Sequence, residues 1–224
     1  MANTLDERLR QEQPVQSGFQ IVDLSVHTLQ HIHLTLNPGQ CVGLTGASGS
    51  GKSLFLRALA DLDPHTGDMS LDGVGAGRIQ APQWRRQVGL LPAESAWWHD
   101  TVGAHFSRLP EPWLKELGFD ADVMHWQINR LSSGERQRLS LLRLLIQQPK
   151  VLLLDEPTAN LDRLNIQRVE TLLGRFRQAH AVMIIWVSHD LDQLRRNCDA
   201  VYVISGSRFE TLDGRAHPDR PEAP

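Results

Sequence analysis

Three stretches of this sequence carry residue types and spacings suited to chemistry on a phosphate. They are GASGSGKS at 46–53, VLLLDE ending in Asp155 and Glu156, and WVSHD with His189. The first fits the pattern G-x-x-x-x-G-K-[ST]. In it Gly46, Ala47, Ser48, Gly49, Ser50 and Gly51 curl the backbone so that successive N–H groups face phosphate oxygens. Lys52 would hold the β- and γ-phosphates of a nucleotide, and Ser53 would offer its hydroxyl to Mg²⁺, a hard cation that takes oxygen ligands. Asp155 would accept hydrogen bonds from water around that cation, while Glu156 would orient and deprotonate the water that attacks the γ-phosphate. His189 is expected to contact the same γ-phosphate.

Such residues need rigid elements to present them. The phosphate loop lies between an apolar strand, CVGLT, and a leucine-rich helix, SLFLRALA, whose N-terminus adds a partial positive charge. VLLLDE and AVMIIWVSHD are near-continuous apolar runs ending in polar residues, the pattern of parallel strands buried on both faces, with a helical segment between them. Ligands of open α/β sheets bind at the carboxyl ends of such strands. Upstream, FQIVDLSV and HIHLTLNPGQ alternate apolar and polar residues around turns, which predicts a β-rich opening, and GDMSLDG predicts a further strand and turn. Between 110 and 130 the text PWLKELGFDADVMHWQINR reads as an amphipathic helical stretch, followed by the leucine-rich helix GERQRLSLLRLLIQQ ending near Pro149.

With 224 residues, 41% of them hydrophobic, the chain is long enough for one sizeable domain. A net charge of −3 gives no electrostatic reason to expect nucleic acid as a partner. Two cysteines are too few for a disulfide framework, and MANTLDERLRQEQ has no apolar stretch of the signal-peptide kind, so a reducing cytoplasm is the expected home. The longest apolar runs fall far short of the ~20 residues that span a bilayer. Residues 1–17 read as a flexible lead-in, 18–212 as a single domain with a helical insert at about 95–145, and the Pro-rich 213–224 as a disordered tail.

LSSGE, Leu131–Glu135, adds a fourth motif. In the order GASGSGKS, LSSGE, VLLLDEPTANLD, WVSHD, the chain resembles the ATP-binding cassette family, the motor subunits of ABC transporters. The resemblance implies an α/β fold: a P-loop NTPase core with a mixed, largely parallel sheet, an N-terminal antiparallel β subdomain and a short helical insert. It implies an ATPase that uses ATP and Mg²⁺ and drives a separate transmembrane permease. Such a subunit is cytoplasmic and peripheral on the inner face of the membrane. It also implies a head-to-tail homodimer on ATP binding, in which Leu131, Ser132, Ser133, Gly134 and Glu135 of one copy close over ATP held by the other. A helix N-terminus at Ser132 suits both phosphate binding and simple capping. Asp162, in ANLD, occupies the acidic position of the family's loop that signals across the dimer; taken alone it is a helix N-cap.

Three places depart from the family. Where an aromatic ring commonly stacks on adenine, this chain reads LSVHTLQ, with His27 as the substitute. Ser133 stands where a second glycine is usual. Ala93 stands where a glutamine normally touches Mg²⁺ and the attacking water, with Glu94 following it. Just beyond lie Trp97 and Trp98, adjacent residues that cannot both face one core. One of them is expected to face the permease. Two further readings stay open: a soluble cassette acting outside transport, and a cassette that binds ATP with weak turnover.

Overall fold

A computed structural model describes residues 17–212. The expectations for 1–16 and for the tail at 213–224 lie outside the described residues.

Two sheets organise the chain. β1 (Phe19–Val26), β2 (Leu29–Leu36), β4 (Thr66–Leu71) and β5 (Val74–Gly75) form an antiparallel sheet in the order β2-β1-β4-β5. The second sheet runs β10-β9-β3-β8-β7-β6, built from β3 (Cys41–Gly46), β6 (Val88–Leu91), β7 (Val151–Asp155), β8 (Met183–Val187), β9 (Ala200–Ser205) and β10 (Arg208–Thr211). All its pairings are parallel except that of β10 with β9. The fold expected from the strand patterns is therefore present, with the antiparallel subdomain made from the first strands and the GDMSLDG hairpin.

β7 shows why its sequence is apolar without alternation. Val151 and Leu153 sit in one core with α1 (Lys52–Leu59) and the antiparallel sheet. Leu152 and Leu154 point to the other core, with α4 (Ser133–Leu145) and α5 (Arg163–His180). All four are fully buried, each worth about 1.5–3 kcal/mol of transfer free energy, so a strand covered on both faces cannot carry a polar residue until its end. Its last residue, Asp155, is the first polar position, and Glu156 follows it.

The helical reading of 110–130 is corrected. Only α3 (Glu111–Glu116) is α-helical there; residues 121–125 and 128–130 form 3₁₀ turns. Amphipathic spacing continues past 116, but α3 is closed by the Gly118 N–H bonded to Lys115 O and the Phe119 N–H bonded to Leu114 O, a Schellman ending. Beyond it the chain bends to bury Phe119 and Val123 individually. α2 (Ala81–Gln87) precedes β6, and α6 (Leu191–Asn197) follows β8. Among the described residues no helix is long and apolar enough to cross a membrane.

Candidate functional site

β3, β8 and β7 are neighbours, and their carboxyl ends bring three motifs together. Val187 is the junction: it pairs with Leu44 on one side and with Asp155 on the other. Beyond the ladder, Ser188 N–H donates to Leu44 O at 3.2 Å and Glu156 N–H donates to Val187 O at 3.1 Å. The strand ladder thus fixes the spacing of the strand ends that carry the phosphate loop, the acidic pair and Ser188, the residue before His189.

The phosphate loop folds on itself through a hydrogen bond from Ser50 N–H to Ala47 O. Gly49 and Gly51 take φ of 76° and 97°, a region that a side chain would strain, and Gly51 opens α1 directly. Lys52 is buried, its ammonium donating to Gly46 O at 2.8 Å and Ala47 O at 2.9 Å. Burial pulls its pKa below the usual lysine value, while Glu156 and Asp155 work in the opposite direction. Ser53 is exposed at the first turn of α1, and Asp155 is buried at the tip of β7.

Glu156 lies in the left-handed region at φ 49°, a conformation that costs on the order of 1 kcal/mol for a side-chain-bearing residue. Its Oε1 is 3.4 Å from His189 Nε2. Burial raises the Glu156 carboxyl above the ordinary carboxylate value; His189 pulls it back, Asp155 adds to the rise, and Lys52 opposes it. A raised carboxyl pKa in a half-buried site suits a proton acceptor that must also release its proton.

Two buried oxygens here lack a protein hydrogen-bond partner, Ser50 Oγ in the loop and Glu156 Oε1. Both fit a substrate that brings its own polar groups: phosphate oxygens for the hydroxyl, a water for the carboxylate. Ser53 and Asp155, two oxygen donors beside the loop, are of the type a Mg²⁺ ion takes.

The LSSGE residues form a separate helix terminus. Ser132 caps α4 in a reciprocal box: its Oγ accepts from Glu135 N–H, and Glu135 Oε2 accepts from Ser132 N–H at 2.8 Å. Ser133 is exposed, Leu131 is buried beneath. A Cβ on Gly134 would stand 2.9 Å from Asn160 O and 3.1 Å from Leu161, so glycine is needed for the loop after β7 to approach. Asp162 caps α5, its Oδ1 accepting from Asn165 N–H at 2.9 Å. His27 is exposed on the β1–β2 turn; the next residues, Thr28 and Leu29, lie against Gly51 of the phosphate loop. Ala93 is exposed two residues past the end of β6, the strand beside β7.

Trp97 and Trp98 divide as adjacency requires: Trp97 packs against the core that holds α4, while Trp98 is 66% exposed. The Arg143 guanidinium of α4 stacks on both rings, 4.6 Å and 4.8 Å from their centroids, and donates to Ala96 O. His105 lies edge-on to both rings, and its Nε2 accepts the backbone N–H groups of Trp98 and His99 at 3.0 Å each. Sequence reasoning missed Arg143 and His105 because neither belongs to a motif.

It also missed Gln193. Asp190 and Gln193 fit the D-x-x-Q spacing of a capping box, and Asp190 Oδ1 does accept from Gln193 N–H. The amide of Gln193, however, turns inward to Thr158, Ser188 and Glu170.

Comparison with known proteins bears on this arrangement. The family model described as ABC transporter matches residues 29–159, more than half of the chain. "Aliphatic sulfonates import ATP-binding protein SsuB 1" of Pseudomonas fluorescens is 34% identical over 185 residues, which cover 81% of this chain and 69% of that protein. "Probable iron export ATP-binding protein FetA" of Escherichia coli is 30% identical over 200 residues, covering 84% of this chain and 88% of that protein. A solved bacterial Atm1-family ABC exporter with ATP bound matches with a TM-score of 0.76 at 21% identity. It covers 88% of this chain, which spans only 39% of the exporter chain, and the likeness is one of fold.

Proposed function

This chain belongs to the ABC transporter family, and from that premise we propose that it hydrolyses ATP to drive a separate transmembrane permease. The observation that carries the proposal is the meeting of Lys52, Asp155, Glu156 and His189 at the tips of three adjacent strands, with 3.4 Å between Glu156 and His189.

In this reading the N–H groups of 46–53 and the Lys52 ammonium hold the phosphates. Ser53 and Asp155 would hold Mg²⁺, which offsets the negative charge of the phosphates. Glu156 orients a water and takes its proton as the water attacks the γ-phosphate, and His189 contacts that phosphate and steadies the carboxylate. His27, on the turn beside the phosphate loop, faces the adenine. Leu131–Glu135, in which Ser132 and Glu135 cap α4 through each other, is the second phosphate-binding helix end, supplied to the ATP of a partner copy in a head-to-tail dimer. Asp162, beside that helix end, lies on the path between the two sites.

Trp98, held out by Arg143 and His105, is the permease contact, with the half-buried Trp97 as its support. The subunit then works in the cytoplasm, peripheral on the membrane's inner face. Cargo and direction belong to the permease: relatives of this chain carry both import and export in their names. Ala93 cannot reach a metal or a water with a methyl group, and this favours looser coupling between hydrolysis and transport than a glutamine would give.

The test is Mg²⁺-dependent ATP hydrolysis by the purified chain, alone and reconstituted with its permease. Stimulation by the permease is expected, and Trp98→Ala should weaken assembly while leaving the hydrolysis of the isolated subunit intact. A chain that hydrolyses ATP but binds RNA or DNA with a steep salt dependence, and no permease, is not a transport subunit.

A further inference from the structure

Gln193 is 1% exposed on α6, and the geometry fixes which way its amide faces. Glu170, on α5, accepts two hydrogen bonds from Arg196, at 3.1 Å and 2.7 Å. Burial would raise the Glu170 pKa, but the bonds from Arg196 and Gln193 outweigh it and hold the group below the ordinary carboxylate value. An ionised carboxylate only accepts, so the Gln193 nitrogen faces Glu170, 2.8 Å away, and the oxygen faces the other way. That oxygen accepts from Thr158 Oγ1 at 3.0 Å and from Ser188 Oγ at 3.1 Å, which uses both its lone pairs.

The two hydroxyls belong to different loops. Thr158 stands two residues after Glu156, and Ser188 stands one residue before His189. Ser188 Oγ in turn accepts the Asp190 N–H at 3.1 Å, so the same hydroxyl shapes the His189 turn from both sides. Glu156 holds a left-handed backbone that persists only if its surroundings over-determine it. We infer that Gln193 is a positioning residue for hydrolysis: a buried amide that ties the loop after Glu156 to the loop before His189 and so sets the distance between the two side chains. Its amide acts through the protein groups it bonds, Thr158, Ser188 and Glu170. The inference rests on the proposed role of Glu156 as the base.

The test uses the full chain with Mg·ATP, reading kcat, KM, ATP affinity and thermal stability together. Gln193→Met keeps the volume and removes all three hydrogen bonds. Turnover is expected to fall on the order of 10- to 100-fold, the scale of a small misplacement of reacting groups, while KM and ATP affinity stay at wild-type values. The exchange Gln193→Glu with Glu170→Gln rebuilds an acceptor for both hydroxyls and an amide donor at 170, and should recover most of the lost turnover. Wild-type kcat in Gln193→Met, measured well below its unfolding temperature, overturns the inference, as does a loss of kcat that disappears on cooling or that is matched by lost ATP affinity. Should Gln193→Met fail to fold, Thr158→Val removes one of the bonds alone, while Ser188→Ala removes another together with the Asp190 N–H bond; lowered kcat at constant KM in Thr158→Val supports the inference, and normal kcat in both variants overturns it. Glu156→Gln separates the two readings: full turnover there overturns the base assignment and the inference with it. Loss there beside normal turnover in Gln193→Met overturns the inference alone.

Discussion

The strand-tip site and the tryptophan cluster are polar arrangements in one chain, yet they are held together by different means. At the strand tips the spacing comes from backbone: Val187 pairs with Leu44 and with Asp155, and the next residues continue the ladder. In the cluster the spacing comes from side chains of three separate segments, Trp97 and Trp98 from an extended stretch, His105 from a short turn and Arg143 from α4. The strand ends of such a site stay in place when a reacting side chain such as Glu156 is replaced, and only the loops beyond the ladder depend on a side chain, Gln193. A cluster made of side chains has nothing else to hold its shape.

The largest test of that contrast is Glu156→Gln. Turnover should fall on the order of 10²–10⁴, the worth of a positioned base, with ATP binding and stability retained; lost ATP binding would show that the carboxylate has another role. The wild-type rate should also report the raised Glu156 pKa. Catalysis needs the carboxylate, so activity falls as pH drops through a value above the ordinary 4.5, and the acid limb of the kcat profile should lie above that figure.

Arg143→Ala should do the opposite, lowering stability by about 2 kcal/mol through the lost stacking and the lost bond to Ala96 O. Nucleotide affinity should not change. Denaturant unfolding beside an ATP-binding titration checks both halves, and an unchanged midpoint would mean the two rings hold without the cation.

A smaller effect follows from His105. Its Nδ1 lies 3.0 Å from Thr101 O, which can only accept, so Nδ1 carries the proton and Nε2 is free to accept from Trp98 and His99. Burial lowers the His105 pKa below 6.5, and Arg143 and His99 lower it further, against backbone hydrogen bonds that raise it. Because the folded pKa is depressed, the unfolded state takes up the proton first. The stability from neutral His105 is fully present above about 6.5 and is lost as pH falls through the folded value. Trp98 emission should change over that acid range in the wild type and stay flat in His105→Gln; identical profiles would remove His105 from the cluster's support. Smallest is Ala93→Gln, which should tighten permease-stimulated hydrolysis with little change in the isolated subunit; equal coupling in both proteins would show that position 93 is silent.

Much of the strand-tip site was legible because each motif is local and each lies at a strand end. GASGSGKS, VLLLDE and WVSHD name their own elements, and a parallel sheet brings strand ends to one edge whatever the loops between them do. Ser132 and Asp162 were legible as caps for the same reason, since a cap reaches only two or three residues along the chain. The amphipathic text at 110–130 misled because helical spacing shows that a segment buries one face but not how far the helix runs, and α3 stops after six residues before the chain continues in 3₁₀ turns.

The sequence by itself determined the family, the sheet and which residues stand at the strand tips, because apolar strand runs and short loop motifs act over a few residues. Only the tertiary structure decided that Arg143 stacks on both tryptophans, that Trp98 is the exposed one, and that the Gln193 amide turns away from its own cap to join two loops. A buried donor or acceptor takes whichever partner folding brings within about 3 Å, and for these groups that partner comes from a different part of the chain.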